Sequence, residues 1–194
     1  MARKAFVERR TRETRIEMRL SLDGRGSASV STGLKFFDHM LETLARHALF
    51  DLRLKATGDI EVDEHHLVED VGICLGKAIA QALGDKKGIR RFGDAAVPMD
   101  DALASVALDM SGRAYLVYAV EFKRAKIGDV REENFEHFFD SLAKSAGMNL
   151  NVKAEGKNDH HKIEAVFKAL AKSLREAVGK DARVAIASTK GKLE

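Results

Sequence analysis

The chain has 194 residues, 45% of them hydrophobic. It contains 33 lysines and arginines and 30 aspartates and glutamates, so its formal net charge is +3. These values are typical of one globular domain, or of two small halves that share a core, and they exclude a disordered chain. No run approaches the ~20 apolar residues that a membrane-spanning helix needs, and the N-terminal residues do not resemble a secretory signal. We therefore expect a cytoplasmic protein that does not contact a membrane.

The distribution of charge and the single cysteine bear on which ligands and which cellular compartment to expect. Basic residues are interleaved with acidic ones, so nucleic-acid binding is not required, although the arginine-rich first 25 residues leave a basic RNA-binding module as an alternative. Cys74 lies in an apolar run, which predicts a buried small side chain in a reducing compartment. That environment favours a packing role for Cys74 over a metal-binding or nucleophilic one.

The first half of the chain predicts strand, helix, strand and helix, in that order. Apolar residues alternate in the strands and recur at helical spacing in the helices. The predicted elements are a strand over 16–22, a helix over 37–44, a strand over 52–56 and a helix over 67–82. Glycines at Gly58 and Gly84 follow the second strand and the second helix, where a turn and a helix stop are expected.

The second half repeats this order. Its predicted elements are a strand over 106–110, a helix over 135–142, a strand over 148–154 and a helix over 163–174. Gly156 and Gly179 stand where the corresponding turn and helix stop are expected. Short sequence echoes accompany the shared order: Phe36-Phe37-Asp38 with Phe138-Phe139-Asp140, and Leu22-Asp23-Gly24-Arg25 with Met110-Ser111-Gly112-Arg113.

An internal duplication explains both the order and the echoes. We predict one domain built of two repeats, about 1–92 and 93–194, with an α/β (α+β) fold. Each half would have two layers, a small and mostly antiparallel sheet with helices on one face. The helices of the two halves would pack together between the sheets, because each helix layer must bury its apolar side.

A histidine motif opens the last predicted helix of each half. His65-His66 followed by Glu69 recurs as His160-His161 followed by Glu164. Residues four apart share one helix face, so each such histidine and glutamate can bind one ion, whereas the adjacent histidine points about 100° away. Exchange of the two odd histidines between the copies would produce two metal sites.

A single motif of this kind also has a simpler interpretation. Glu69 could stabilise the positive end of a helix beside histidines that face solvent. The recurrence of the whole motif at the same offset favours metal binding over that alternative.

Several motifs agree in order and spacing with a known family. They are Phe37-Asp38-His39-Met40-Leu41, Asp63-Glu64-His65-His66-Leu67-Val68-Glu69-Asp70, Ser111-Gly112-Arg113, His160-His161 with Glu164, and Ser188-Thr189-Lys190. From about residue 5 to the C-terminus, the chain resembles the imidazoleglycerol-phosphate dehydratases of histidine biosynthesis. The resemblance implies dehydration of D-erythro-imidazoleglycerol phosphate to imidazoleacetol phosphate by a carbon–oxygen hydro-lyase.

The resemblance also implies two metal sites shared between the subunits of a homo-24-mer. One site would consist of His39, His66, His160 and Glu164, and the other of His65, Glu69, His137 and His161. Three imidazoles and one carboxylate leave two octahedral positions open, which suits manganese or another borderline divalent ion. Zinc or copper would bind such ligands more tightly, so two Mn²⁺ per subunit are expected from the family alone.

Two metals suit the implied substrate, because the hydrogen to be lost is not next to a carbonyl. An imidazole ring bound at both nitrogens would become an imidazolate that expels the neighbouring hydroxyl, giving a diazafulvene-like intermediate. Glu13 matches the catalytic glutamate of the family and would move the protons. From composition alone, Glu13 would be a surface residue in the charged segment 12–15.

Substrate contacts are implied for eight residues: Glu13, His39, His47, Arg91, Arg113, Ser188, Thr189 and Lys190. The basic ones suit a phosphate group, although each could instead be solvated. His47 could be a hydrogen-bonded core histidine. Asp38 and Asp140 could orient metal ligands or cap helices. Another dinuclear metal-dependent hydrolase or lyase, acting on a small phosphorylated substrate, is the alternative enzyme, but a hydrolase would be expected to share a bridging carboxylate between its ions.

Overall fold

A computed structural model describes residues 3–189 and 193 of the chain. Its first half contains β1 (Lys4–Arg10), β2 (Thr14–Ser21), β3 (Ala28–Ser31), α1 (Lys35–Ala48), β4 (Asp51–Gly58) and α2 (His65–Leu83). The four predicted elements are present, and β1 and β3 are additional. Val7 is the one buried residue of β1, and β3 has none, so both strands lack the strong alternation that marks β2 and β4.

The second half contains the same elements and one extra hairpin. They are β5 (Phe92–Met99), β6 (Ala102–Asp109), β7 (Tyr115–Val120), β8 (Lys126–Ile127), β9 (Val130–Arg131), α3 (Glu132–Ala146), β10 (Asn149–Glu155) and α4 (Asp159–Ala177). The short strands β8 and β9 form that hairpin. β5 begins beside the predicted repeat boundary at 92/93. The origin of the halves as two repeats stays a prediction.

Each half forms one four-stranded sheet with the same strand order. The first sheet runs β1-β2-β4-β3 and the second β5-β6-β10-β7. In each sheet the last strand joins in parallel and the other neighbours are antiparallel. The mixed α/β class with mostly antiparallel sheets is therefore confirmed.

The helices lie between the two sheets, as predicted. Ile16, Met18 and Leu20 of β2 are buried, whereas the charged residues between them are exposed, so the sheet has one apolar face to cover. α2 packs on β1 and β2, and α4 packs on β5 and β6. Between the halves, α2 packs against α3 and α1 against α4. One continuous hydrophobic core results.

Two glycines let α2 and α3 approach closely. A Cβ atom at Gly76 would lie 2.6 Å from the Cβ of Ser145 and 2.7 Å from the carbonyl oxygen of Leu142. At Gly72 it would lie 2.7 Å from the carbonyl oxygen of Phe138. All three distances are shorter than van der Waals contact. The α2–α3 crossing therefore requires residues without side chains at these positions.

The structure corrects one of the sequence echoes. Leu49 and Gly147 are the left-handed residues that end α1 and α3, so the helices correspond at an offset of 98 residues. Phe37 then corresponds to Phe135, and His39 to His137. The echo of 36–38 in 138–140 was out of register by four residues. About one helical turn separates the two alignments, and such a shift preserves an apolar pattern.

Along the described residues, no helix has the length and apolar character needed to cross a bilayer.

Candidate metal centres

The first cluster joins the start of α1 to the start of α4. The side chain of Asn158 accepts a hydrogen bond from the His160 amide and fixes the first turn of α4. His160 and Glu164 then share one helix face, with 3.0 Å between Nε2 and Oε2. His39 brings its Nε2 atom to 3.5 Å from the same oxygen. The three ligand atoms lie within 4.8 Å of one another, an arrangement that could hold a metal ion.

Glu164 is the anionic centre of this cluster. Burial disfavours its ionised form, but a hydrogen bond and the positive charge of Lys168 lower the pKa of the carboxyl, with a further contribution from His160. The Lys168 Nζ atom lies 2.8 Å from Glu164 Oε1. Glu164 is therefore charged at neutral pH and can attract a cation.

The second cluster occupies the equivalent place between α2 and α3. The rings of His65 and His137 meet edge to face, with 4.7 Å between their centres. His65 Nδ1 lies 2.9 Å from the side-chain oxygen of Asn134. Glu69 follows His65 by four residues on the same face of α2, but within the described residues only the first cluster brings three ligand atoms as close as 4.8 Å.

The two clusters are equivalent residue by residue. The helix offset of 98 relates His39 to His137. The repeated histidine motif, at an offset of 95, relates His65 to His160 and Glu69 to Glu164. Each cluster takes one helix from each half. The six residues that the structure places in this way are six of the eight predicted metal ligands.

The two remaining predicted ligands face other parts of the surface. His66 Nδ1 lies 3.2 Å from a carboxylate oxygen of Asp59, and His161 Nδ1 lies 2.7 Å from Asp101. Within one chain neither histidine joins the cluster for which it was predicted. Adjacent histidines diverge on a helix, so His66 and His161 also point away from the clusters of His65 and His160.

These hydrogen bonds fix which ring nitrogen can bind a metal. Asp59, Asn134 and Asp101 each present an acceptor oxygen to the Nδ1 atom of a histidine. In the neutral tautomer that these acceptors favour, the proton resides on Nδ1 and Nε2 keeps its lone pair. Such carboxylate or carbonyl partners are the usual support of histidine ligands.

Glu13 lies beside His66. Its Oε1 atom is 4.0 Å from His66 Nε2, and its side chain is 53% exposed. The pKa of His66 is raised, chiefly by the hydrogen bond to Asp59 and further by the charge of Glu13. The candidate catalytic residue is thus grouped with the odd histidine of α2, away from the first cluster of its own chain.

The predicted phosphate contacts lie at the opposite end of α4. Arg91 pairs through two nitrogens with Asp109, at 2.6 and 2.9 Å, and donates a third bond of 2.7 Å to the carbonyl of Ala187, next to Ser188. The Arg91 amide bonds the carbonyl of Ala177, the last residue of α4. Ala177 follows His160 by 17 residues in α4, which puts this end about 26 Å from His160 at about 1.5 Å per residue.

Three further substrate contacts were predicted: Arg113, Thr189 and Lys190. Arg113 is exposed, and its carbonyl accepts a bond of 2.7 Å from Asn149 at the same end of the second sheet. Thr189 is exposed. Lys190 lies outside the described residues.

His47 follows His39 by about two turns of α1. It lies near the positively charged side chains of α4. Burial lowers its pKa, and the charges of Lys168 and Lys172 lower it further. His47 is therefore a neutral imidazole at pH 7. Asp38 accepts bonds from the amide and hydroxyl of Thr32, and Asp140 pairs with Lys144, so both contribute to local helix structure.

Sequence reasoning missed the residues that contact the predicted metal ligands. Asp59, Asp101 and Asn134 orient histidines, and Lys168 pairs with Glu164. The positions of two of these residues could have been inferred from helical spacing in the sequence. Asn134 precedes His137 by three residues and Lys168 follows Glu164 by four, so each shares a helix face with its predicted neighbour. Asp59 and Asp101 come from loops, and only the tertiary structure places them.

The fold and the clusters first define a class. A doubled α/β chain with histidines and carboxylates grouped at helix starts is a candidate metal-dependent enzyme. The family model described as imidazoleglycerol-phosphate dehydratase matches residues 32–174. The chain is 56% identical over 191 residues to the imidazoleglycerol-phosphate dehydratase of Methanothermobacter thermautotrophicus, with 98% of each chain covered.

Solved structures agree with this assignment. The imidazoleglycerol-phosphate dehydratase of Pyrococcus furiosus, in complex with (S)-C348, superposes with a TM-score of 0.84 at 36% identity, covering 96% of this chain and 100% of that one. The Staphylococcus aureus enzyme superposes with a TM-score of 0.83 at 32% identity, covering 92% and 99%. The chain belongs to the imidazoleglycerol-phosphate dehydratase family, which confirms the resemblance of its motifs.

Proposed function

We propose that this protein dehydrates imidazoleglycerol phosphate to imidazoleacetol phosphate, the reaction of its family in histidine biosynthesis, with two divalent cations held between subunits. The observation that carries the proposal is the pair of equivalent clusters on α1–α4 and α2–α3. In each case the fourth predicted ligand is a surface histidine whose Nδ1 atom is already held by a carboxylate.

The donor set fits divalent cations. His39, His160 and Glu164 offer two imidazole nitrogens and a charged oxygen from one subunit, and His66 of a neighbouring subunit would complete that site. His65, His137 and Glu69 would form the second site with a neighbouring His161. Mixed nitrogen and oxygen ligands suit manganese among the borderline ions. A homo-24-mer, as in the resemblance, is the assembly in which we expect these contacts.

When bound, the two cations would act as Lewis acids on the two ring nitrogens of the substrate and would fix its orientation. The residues of this chain supply the proton transfers. A subunit that contributes His66 brings Glu13 with it, because the two side chains are 4.0 Å apart. Glu13 would therefore act at the site completed by its own subunit.

The proposed role of Glu13 is general acid–base catalysis. As an acid it donates a proton to the hydroxyl, which leaves as water from the carbon attached to the ring. Its carboxylate then removes the proton from the middle carbon of the glycerol chain. The resulting enol becomes the ketone when the ring-attached carbon takes up a proton. His47, neutral because of burial and of Lys168 and Lys172, is suited to a hydrogen bond with the uncharged part of the substrate.

The phosphate would be bound by Arg91, Arg113, Ser188, Thr189 and Lys190. Arg91 uses three of its five N–H donors on Asp109 and Ala187, so two remain for phosphate oxygens. Since Arg91 lies about 26 Å from the histidines of α4 by the helix rise, it would serve a site formed with another subunit.

The direct test supplies imidazoleglycerol phosphate to Mn²⁺-loaded protein and measures the ketone product. We expect turnover that a chelator abolishes and Mn²⁺ restores, with two ions per chain by elemental analysis. Release of inorganic phosphate without ketone would indicate a dinuclear hydrolase instead. Absence of both products would contradict the proposed reaction.

The sharing of sites between subunits has its own test. His66→Ala and His160→Ala should each abolish turnover when assembled alone. In mixed assemblies, His66 from a His160→Ala subunit can complete an intact cluster on a His66→Ala subunit, so part of the activity should return. Mixed assemblies that remain inactive would place His66 and the first cluster in the same subunit.

A further inference from the structure

A continuous chain of hydrogen bonds, buried where it meets α2, links that helix to the turn that carries Glu13. Asp70 is 5% exposed, and its two carboxylate oxygens accept bonds of 2.5 Å from the Thr14 hydroxyl and 2.8 Å from Arg9. A buried carboxylate is costly unless it is paired in this way. We call Arg9, Thr11, Thr14 and Asp70 the Thr14 network.

The network ends at the backbone of Glu13. The hydroxyls of Thr14 and Thr11 lie 3.2 Å apart, and each has a single hydrogen to donate. Because Thr14 donates to Asp70, Thr11 donates to Thr14. The Thr11 oxygen in turn accepts the amides of Glu13 and Thr14, at 3.1 and 2.9 Å. The two hydroxyl groups therefore donate in sequence, Thr11 to Thr14 and Thr14 to Asp70.

Glu13 is held from its other side as well. Its carbonyl accepts a bond of 3.1 Å from the amide of Asp59, the residue whose carboxylate orients His66. The side chain of Glu13 is half exposed, so its position depends on this fixed backbone.

The second half of the molecule has the same backbone without this network. β1 and β2 correspond to β5 and β6 at an offset of 88 residues, and α2 corresponds to α4 at 95. The positions of Arg9, Thr11, Thr14 and Asp70 are then occupied by Val97, Met99, Ala102 and Ala165. Ala102 is 3% exposed and Ala165 is fully buried. The fold is thus built equally well with apolar residues at all four positions.

This contrast separates folding from function. Buried ionic groups can often be replaced by apolar residues without loss of stability, and the second half shows such a set in place. We propose that the Thr14 network is a positioning device, which holds the β1–β2 turn and Glu13 at a fixed place relative to His66 at the start of α2. This inference rests on the proposed role of Glu13.

The test uses a pair of variants at Thr14. Thr14→Val removes the hydroxyl while keeping the size and β-branching, and Thr14→Ser keeps the hydroxyl. Displacement of a reacting group by about 1 Å can cost ~100-fold in rate, so Thr14→Val should lower kcat by about 10-fold to 100-fold with KM, Mn²⁺ content and assembly unchanged. Thr14→Ser should retain kcat within about threefold, since its relay is intact.

Combination with Glu13→Gln shows whether the network acts through Glu13. Thr14→Val should cause no further loss of kcat in a Glu13→Gln background, because the displaced group is already inactive. Hydrogen exchange of the Glu13 and Thr14 amides, which does not depend on turnover, should be faster in Thr14→Val than in Thr14→Ser. Equal losses of kcat with and without Glu13 would overturn the inference.

A fourfold variant that carries the residues of the second half tests whether the network is needed for folding. Arg9→Val, Thr11→Met, Thr14→Ala and Asp70→Ala together install the second-half residues, and we expect a folded assembly with low kcat. If this variant and Thr14→Val both fail to fold, the network is structural and the inference is wrong. If Glu13→Gln is inactive while Thr14→Val matches the wild type, only the positioning role fails. If Glu13→Gln keeps full turnover, the proposed role of Glu13 fails first.

Discussion

The two halves share a backbone but differ in what they bury beside their second helices. The first half buries the Thr14 network, which reaches Glu13. The second half instead buries an ion pair of 2.8 Å between Lys162 and Asp159, whose other oxygen accepts the amides of Lys123 and Arg124. The equivalent positions in the first half hold Leu67 and Glu64. One architecture therefore tolerates either polar arrangement, and the differences between halves point to local functions.

The acids at the start of β2 and β6 show the same contrast. Glu13 and Asp101 are equivalent at the offset of 88, and each lies beside the odd histidine of its half. Asp101 is committed to His161 and to two backbone amides, at 2.5 and 2.9 Å, which lower its pKa. Glu13 keeps its carboxylate half exposed. We infer that Asp101 supports a metal ligand, whereas Glu13 is available for proton transfer.

The largest effect should come from Glu13→Gln. Loss of a general acid–base group should lower kcat by about 10²-fold to 10⁴-fold, with unchanged Mn²⁺ content and assembly. Steady-state kinetics and elemental analysis would check this. Turnover near that of the wild type would remove Glu13 from the mechanism.

Asp59→Asn and Asp101→Asn should weaken metal binding instead. Loss of the carboxylate behind a histidine ligand typically costs about 10-fold to 100-fold in metal affinity. Competition with a chelator would measure the Mn²⁺ affinity of each variant. The two variants should behave alike because His66 and His161 are equivalent. A loss in one half alone would mean that the sites are not symmetric.

Gly76→Ala should destabilise the fold by about 1–3 kcal/mol, since the added Cβ overpacks the α2–α3 crossing. The equivalent residue of α4 is Ala171, which is fully buried at the α1–α4 side. Ala171→Gly is the matched control and should cost about 1 kcal/mol, mainly through helix propensity. Denaturant unfolding of both variants would measure these free energies. Stabilisation by Gly76→Ala would show that the crossing can open without cost.

Cys74 should give the smallest effect. Burial raises the pKa of its thiol to about 11, so the thiol stays protonated and unreactive at pH 8 in the folded protein. A thiol reagent should therefore modify Cys74 only after denaturation. Ala169 is its counterpart in α4, and Cys74→Ala should change the free energy of unfolding by about 1 kcal/mol or less. Rapid modification of the native protein would contradict the buried environment.

Much of the fold could be predicted because it depends on local periodicity. The alternation of Ile16, Met18 and Leu20 marked β2, and helical spacing marked all four helices. Four strands of the two large sheets escaped prediction because so few of their residues are buried: β1, β3, β5 and β7. The echo of 36–38 was misaligned by one turn because helical periodicity looks the same after four residues. The αL residues Leu49 and Gly147, which fix the correct register, become visible only in the backbone conformation.

The sequence by itself determined the paired histidine motifs, since His160 and Glu164 share a helix face and His161 diverges from them by geometry alone. It also placed the chain in its family. The tertiary structure decided which helices meet, and thus that His39 joins α4 and that Asp59 and Asp101 orient the odd histidines. Those contacts join residues distant in sequence, so no local spacing specifies them. The separation of His66 from the first cluster likewise follows from packing, because both lie on helices whose relative position only the shared core sets.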